Sequence, residues 1–195
     1  ADEFLERITK QTKAIVIGDP LDDETQMGPL CTQGQLDHIQ TEVAHAQSEG
    51  GTILTGGKQP ENTGNGLFYE PTIIDCPRQD LRIVDTELFG PVLCVQRFKT
   101  EEEVIALAND TEHGLAAGIF TQNSARSLRV ADAVRAGIVW VNTYRVVSPI
   151  AEFGGVKGSG YGRESGFQAM YDYTRPKTIW MNTSDEPMAN PFVMR

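Results

Sequence analysis

Residues 114–142, GLAAGIFTQNSARSLRVADAVRAGIVWVN, contain two short apolar segments on either side of a helical pattern. The segments GLAAGIFT and IVWVN have the length and composition of strands that are buried in a sheet. Asn123 is predicted to cap the helix between them, and Gly137 is predicted to end it. The side chains predicted to face inward from this helix are Leu128, Ala131 and Val134.

The same alternation extends upstream of residue 114. PVLCVQRF, residues 91–98, has the composition of a buried strand, and Thr100 with Glu103 forms a capping box ahead of the helical VIALAND. Strand, helix, strand, helix and strand in this order predict a mostly parallel sheet with helices packed on it. The fold class is therefore predicted to be α/β.

Two more helices are predicted nearer the N-terminus, in residues 2–15 and 35–51, and the second should stop at a Gly-Gly pair. TILTGG, GLFYEPTIIDC and LRIVDTELFG are predicted to be extended segments. The residues predicted to form the apolar faces of the two helices are Phe4, Leu5, Ile8 and Thr12 in the first, and Leu36, Ile39, Val43 and Ala46 in the second.

The segment YTRPKTIWMN, residues 173–182, is extended in pattern, but no strand follows it in the chain. An unpaired strand edge exposes backbone donors and acceptors, so a neighbouring subunit is a reasonable cover. The alternative is an edge strand of the same sheet. Residues 185–195 are predicted to be a tail.

Charge and composition exclude several classes of protein. The formal net charge of −10 argues against nucleic-acid binding, which needs a basic face. No apolar run approaches the roughly 20 residues that span a bilayer, and no signal peptide opens the chain. We therefore expect neither a nucleic-acid partner nor a membrane span.

The three cysteines, Cys31, Cys76 and Cys94, are far apart and odd in number. They fit neither a disulfide framework nor a metal site, so we expect reduced thiols, no bound metal and a cytoplasmic location. The chain begins at Ala1, without Met and without a side-chain cap for its first helix. This predicts a piece of a longer protein, with a processed or engineered terminus as the alternative.

FGGVKGSGYGRESG, residues 153–166, holds six glycines in fourteen positions. Its glycine spacing matches neither the dinucleotide-binding GxGxxG nor a Walker loop, and it follows a loop rather than a strand. We therefore predict closely approaching backbone and not a phosphate site. Glycine serves that purpose because it has no side chain to collide and adopts positive φ readily.

In TELFGPV, residues 86–92, Glu87 lies two positions before Phe89, ahead of a buried strand. Residues i and i+2 of an extended segment share a face. A carboxylate and an aromatic ring on one face suit a ribose diol and a flat ring. The alternative, which the residues alone favour, is a surface glutamate beside a core phenylalanine.

Four motifs occur in register: TELFGPVL, ANDTEHGLAAGIFT, RAGIVWVN and FGGVKGSGYGRESG. Together they resemble the NAD(P)-dependent aldehyde dehydrogenase superfamily, and the resemblance runs from Ala1 to about Asn182. It implies the C-terminal part of the family's α/β catalytic domain, after the nucleophilic cysteine. That part is followed by an extended oligomerisation strand.

The reaction implied by the resemblance is oxidation of an aldehyde to a carboxylic acid with NAD or NADP. In the family a cysteine thiolate adds to the carbonyl, hydride leaves to the nicotinamide, and a glutamate-activated water hydrolyses the thioester. The resemblance places that cysteine, that glutamate and the dinucleotide-binding loop upstream of Ala1. Cys31, Cys76 and Cys94 do not match the nucleophile, so the chain alone is expected to be inactive.

The resemblance assigns to this chain the wall of the active site that lies opposite the absent cysteine segment. Glu87 matches a glutamate that binds the nicotinamide ribose, and Phe89 matches an aromatic residue near the nicotinamide. Glu164 matches a buried glutamate in a proton relay, with an ion pair to Arg163 as the alternative. Asn142 is expected to be structural and Glu152 to face solvent. The substrate-pocket residues are Phe153, Tyr144 and Ser148, the last two on the entrance loop 143–152.

The predicted organisation has three parts: residues 1–172 are the catalytic-domain portion, 173–184 the oligomerisation strand and 185–195 the tail. The resemblance implies a homodimer or homotetramer joined through Tyr173–Asn182, and an aldehyde as substrate. Two alternatives stay open. One is a stand-alone assembly or binding module that keeps only the fold, and the other is an unrelated α/β domain that binds a nucleotide through Glu87 and Phe89.

Overall fold

The computed structural model describes residues 1–61, 64, 66–187, 190 and 192–193. Residues 188, 189, 191, 194 and 195 of the predicted tail lie outside the described residues. Lys157–Ser159 forms a single 3-10 turn. The helices are α1 (Asp2–Lys13), α2 (Gln33–Ser48), α3 (Arg82–Asp85), α4 (Glu101–Asn109), α5 (Ser124–Ala133) and α6 (Ala169–Asp172), and the strands are β1 (Thr52–Thr55), β2 (Thr72–Asp75), β3 (Val92–Val95), β4 (Ala116–Ile119) and β5 (Ile138–Val141).

Two small sheets form the framework. In the first, β1 runs antiparallel to β2, and β2 runs parallel to β3 with Ile74 opposite Cys94. In the second, β4 and β5 are parallel, with Ala116 opposite Ile138, and α5 makes the crossover between them. The predicted α/β class and the parallel pairing of β4 with β5 are confirmed. Within the described residues β3 does not bond to β4, so the predicted single sheet is divided in two.

The core lies between α2 and the first sheet. The predicted apolar face of α2 is confirmed, because Leu36, Ile39, Val43 and Ala46 are all buried. Burial of Leu36, Ile39 and Val43 contributes roughly 1.5–3 kcal/mol for each side chain, which holds α2 on the sheet. The other buried members of the cluster are Tyr69, Ile74, Cys76, Leu81, Ile83 and Leu88.

The predicted side-chain caps at Thr100 and Asn123 are present, but the capping box is incomplete, because Glu103 accepts from the Lys99 N–H and not from the Thr100 N–H. The Thr100 side chain accepts a hydrogen bond from the Glu103 N–H, and the Glu103 carboxylate accepts one from the Lys99 N–H at 2.7 Å. The Asn123 side chain accepts from the Arg126 N–H at 3.0 Å. Each cap satisfies a backbone donor that the first helical turn leaves without a partner, so these polar residues fix where the helices begin.

Several local predictions are wrong. The Phe4 side chain of α1 is 63% exposed, and α5 ends at Ala133, ahead of Gly137. Residues 81–90 were expected to be extended, yet α3 forms one helical turn there, with Leu81 and Ile83 both in the core. Leu128 was expected to face inward, but its side chain is 72% exposed and Val130 is buried instead. The Glu101 carboxylate accepts hydrogen bonds from the guanidinium groups of Arg126 and Arg129, which link α5 to α4.

The segment 173–182 joins neither sheet in the described part of the chain, so the alternative of an edge strand is wrong. Its large side chains are open to solvent, and Trp180 is 94% exposed. Among the described residues, no helix combines the length and apolar character needed to cross a membrane.

Candidate active site

Glu87 and Phe89 lie just after α3 and are both exposed, while Leu88 between them is buried. The Thr86 hydroxyl donates to the Arg82 carbonyl at 2.8 Å and closes the end of α3. Phe89 has a φ of 50°, so the shared exposure comes from a left-handed turn rather than from an extended strand. Within the described residues the Glu87 carboxylate has no hydrogen-bond or ion-pair partner, which leaves its oxygens free as acceptors.

A concavity of about 390 Å³ lies between β5 and the segments 146–153 and 164–165. It brings together three predicted site residues, Ser148, Phe153 and Glu164. Glu87 and Phe89 do not line it. The other lining residues are Ile138, Val146, Val147, Pro149, Ala151, Glu152 and Ser165.

Phe153 and Glu164 are held opposite each other by the backbone. Each N–H donates to the other's carbonyl oxygen at 2.7 Å, which forms an isolated antiparallel bridge. A Cβ on Gly154 would collide with the Gly162 carbonyl, and Gly160 has a φ of 106°. The predicted role of the glycines is confirmed, because they allow close backbone contacts under the concavity.

Glu164 departs from two expectations. The ion pair with Arg163 is absent from the described residues, because the Arg163 guanidinium donates instead to the carbonyl oxygens of Gly155 and Gly162 at 2.7 and 2.8 Å. The expected burial is also wrong for the chain as it stands, since the Glu164 side chain is exposed. Glu152 is exposed, as expected, although it also lines the concavity.

Tyr144 lies apart from the concavity, against the second sheet. Its ring meets the Trp140 ring edge-to-face, with centroids 5.2 Å apart. The Trp140 indole N–H donates to the Val146 carbonyl at 2.8 Å and anchors the loop 143–152. Sequence reasoning missed this anchor, because nothing in IVWVN distinguishes a tryptophan that bonds a loop from one that packs in the core.

Asn142 is structural, as predicted. Its side chain accepts from the Thr121 N–H and donates to the Thr121 carbonyl, both at 2.9 Å. The two bonds join the ends of β4 and β5 and supply backbone partners where the ladder stops. Asn142 adopts a φ of 54° there, in the left-handed region that asparagine tolerates better than most residues.

None of the three cysteines lines the concavity. Cys31 is exposed beside the start of α2, and Cys76 is buried in the core. Hydrogen bonding to Cys76, reinforced by burial, raises the pKa of the Cys94 thiol, which opposes thiolate formation. Across the described residues, no group of three histidine, cysteine or acidic side chains is placed to hold a metal ion.

The family model for the aldehyde dehydrogenase family matches residues 1–179. The chain belongs to the aldehyde dehydrogenase family. It is 49% identical over all 195 residues to the (Z)-2-((N-methylformamido)methylene)-5-hydroxybutyrolactone dehydrogenase of Acinetobacter baylyi, and covers 40% of that protein. It is 45% identical to the chloroplastic betaine aldehyde dehydrogenase of Atriplex hortensis over 96% of the chain, and covers 37% of that protein.

Solved structures show the same relationship. PnpE from Pseudomonas sp. WBC-3, crystallised in complex with nicotinamide adenine dinucleotide, superposes with a TM-score of 0.91 at 45% identity, covering 98% of this chain and 39% of that one. A betaine aldehyde dehydrogenase of Staphylococcus aureus in complex with NAD+ superposes with a TM-score of 0.91 at 37% identity. The match covers 99% of this chain and 39% of that one. The chain spans about 40% of the length of the relatives it matches.

Proposed function

We propose that these residues supply one wall of the active site of an aldehyde dehydrogenase that oxidises an aldehyde to a carboxylic acid with NAD or NADP. The observation that carries the proposal is the exposed, unpartnered Glu87 carboxylate beside the exposed Phe89 ring. Family membership supports it, as do the relatives crystallised with the dinucleotide.

The exposed pair fits a nicotinamide riboside chemically. The free oxygens of Glu87 can accept hydrogen bonds from the two ribose hydroxyls, and bonds to a charged acceptor are the stronger kind. The ring of Phe89 offers a flat apolar surface for a neighbouring ring. When bound, the dinucleotide accepts the hydride that the aldehyde carbon loses.

The remaining roles lie around the 390 Å³ concavity. Phe153 and Ser148 face the substrate, and Tyr144 flanks the entrance on the loop that Trp140 anchors. Glu164 passes protons away from the site. This role requires Glu164 to become covered, and polypeptide outside these residues supplies that cover in the proposal.

The attacking thiolate belongs to polypeptide outside these residues. Cys94 is held as a thiol, Cys76 is buried in the core, and Cys31 lies beside a helix start away from the concavity. The general base and the dinucleotide-binding loop are assigned to the same absent part. The catalytic-domain portion is residues 1–172, as the sequence predicts.

We assign residues 173–184 to assembly. Tyr173–Asn182 is exposed and has no sheet partner within the described residues, and Ile179 and Trp180 offer apolar surface to a second copy. Addition of such a strand to a neighbouring sheet would satisfy its backbone groups. The expected product is a homodimer or homotetramer, and the expected location, from the three free thiols, is the cytoplasm.

The test is Glu87→Gln in the complete polypeptide that contains these residues. Loss of the charged acceptor is expected to lower kcat about tenfold or more, because a hydrogen bond to a charged group contributes roughly 1.5–3 kcal/mol. Circular dichroism should be unchanged, since Glu87 is exposed. Glu102→Gln, an exposed carboxylate on α4, is the control and should keep full activity. Unchanged steady-state kinetics in Glu87→Gln would contradict the assigned role.

A further inference from the structure

Glu42 is a buried carboxylate in the middle of α2. Its side chain is 1% exposed and lies on the face of the helix that packs into the core. One carboxylate oxygen accepts a hydrogen bond from the Arg82 guanidinium at the start of α3, and the His38 ring nitrogen is 4.0 Å from the same oxygen. The other oxygen has no partner among the described residues. A carboxylate so placed is costly to bury, and the arginine compensates for that cost.

The C-terminal end of α2 holds the same arginine by its backbone. The Glu49 carboxylate accepts from the Arg82 N–H at 3.2 Å. This bond satisfies a donor at the first position of α3, where helical N–H groups lack internal partners. Arg82 is therefore fixed to α2 twice, through its guanidinium and through its amide.

A second anchor lies eight residues further along. Leu88 is buried in the cluster that contains Leu36 and Ile39 of α2. At Gly90 the backbone approaches α2 so closely that an added Cβ would collide with the Ile39 side chain. Both ends of the segment 82–90 are thus attached to one helix.

Glu87 and Phe89 lie between these two anchors. Phe89 adopts a left-handed φ of 50°, a conformation that is strained for a bulky L-residue. Such a conformation persists where the surroundings over-determine it. The attachment of Arg82 to α2 provides that constraint on one side, and the packing at Leu88 and Gly90 provides it on the other.

We propose that Glu42 is a positioning residue for the dinucleotide-facing segment. Through Arg82 it fixes the start of residues 82–90, and so fixes where the Glu87 carboxylate and the Phe89 ring lie. The proposal rests on the proposed function of Glu87 and Phe89. Desolvation of the buried Glu42 carboxylate offsets much of the attraction to the partly exposed Arg82 side chain, so placement of this segment is the role we assign to the pair.

The experiment compares three variants of the complete polypeptide. Glu42→Gln removes the charge, and Glu42→Leu with Arg82→Met replaces the pair by apolar side chains that keep the fold. Glu101→Gln is the control. Glu101, like Glu42, forms ion pairs with arginine, but its pairs join α4 to α5 and do not involve residues 82–90. Three quantities are measured: amide hydrogen exchange of residues 82–90, kcat, and the primary isotope effect with an aldehyde deuterated at its carbonyl carbon.

Glu42→Gln and the double variant are expected to exchange residues 82–90 about tenfold faster and to lose about tenfold in kcat. The isotope effect should rise in both, because a misplaced segment makes cleavage of the aldehyde C–H bond limit turnover. Glu101→Gln should change none of the three. A merely structural pair would lower the melting temperature of Glu42→Gln without raising the isotope effect.

Two results would overturn the proposal. One is a Glu42→Gln variant in which residues 82–90 exchange faster while kcat and the isotope effect are unchanged. The other is a double variant with wild-type exchange in this segment. Glu87→Gln separates these failures from failure of the proposed function. If Glu87→Gln lowers kcat and Glu42→Gln does not, only the positioning role is wrong; if neither does, the function assigned to the segment is wrong.

Discussion

The two sheets of this molecule differ in how completely their side chains are covered. The first sheet and α2 enclose a continuous core in which Ile39, Ala46 and Ile74 are 0% exposed. In the second sheet β5 is half-buried and β4 alternates between exposed and half-buried residues, and Val130 is the buried residue of the helix that joins them. The large apolar side chains left open around it are Phe120, Leu128, Tyr144, Val146, Val147 and Ile150.

This difference separates what the chain builds by itself from what it offers to other polypeptide. Apolar patches of this extent on a soluble protein mark surfaces for association. Four of these side chains, Tyr144, Val146, Val147 and Ile150, belong to the loop 143–152, which borders the proposed substrate site. The open region is therefore the one that the proposed function requires to be completed from outside.

The strongest test of the difference between the two regions is a pair of alanine substitutions, one in each region. Ile39→Ala removes a fully buried side chain and should lower the free energy of unfolding by about 3–4 kcal/mol. Leu128→Ala removes a side chain that is 72% exposed and should change it by less than about 0.5 kcal/mol. Urea denaturation of the 195-residue chain measures both. A similar loss of unfolding free energy in the two variants would mean that Leu128 is buried as well, and that the two regions do not differ in coverage.

A smaller effect, the loss of stability at high pH, tests how completely the core of the first region is buried. Burial, with a contribution from Glu70, raises the pKa of Tyr69 to about 12. The ordinary value is about 10, so the folded state holds this proton more tightly than the unfolded state. The associated stability is present below pH 10 and is lost as pH rises through 12, by about 3 kcal/mol in total.

Tyr69→Phe should therefore lose less stability than the wild type between pH 10 and 12. At neutral pH it should cost less than about 1 kcal/mol, because the buried Tyr69 hydroxyl has no hydrogen-bond partner in the described residues. Tyr161→Phe, at a side chain that is 97% exposed, is the control. Parallel pH profiles for Tyr69→Phe and the wild type would show that the Tyr69 hydroxyl is not held in a buried environment.

Much of the fold could be predicted because local patterns and tertiary contacts agree. The caps at Thr100 and Asn123, the apolar face of α2 and the parallel pairing of β4 with β5 all follow from residue type and spacing. These features depend on backbone donors and on periodicity, which a single sequence displays directly.

The failures have a common cause. The four residues of α3 are too few to show a helical period, and their conformation is set by burial of Leu81 and Ile83 and by the bonds to α2. Leu128 is exposed because α5 packs through Val130 instead, and the helical period alone does not decide between these two faces. Glu42 could have been found, since position 42 falls three residues after Ile39 on the buried face of α2, where a carboxylate requires a partner.

The candidate site was predicted in part. Glu87 and Phe89 were assigned through resemblance, since the residues alone favoured a surface glutamate beside a core phenylalanine, and the structure exposes both side chains. Ser148, Phe153 and Glu164 were assigned through resemblance, and the structure brings them to one concavity. Local sequence could not show that Tyr144 packs on Trp140 instead, because that contact depends on how the loop 143–152 folds back on β5.

The most direct test of the central claim is a dehydrogenase assay of the purified 195-residue chain with an aldehyde and NAD or NADP, beside the complete polypeptide. The account predicts that the complete polypeptide reduces the dinucleotide, because it contains both the wall and the nucleophile. The 195-residue chain alone should form no reduced dinucleotide above background. Sustained turnover by the chain, abolished by serine at Cys31, Cys76 or Cys94, would contradict the claim.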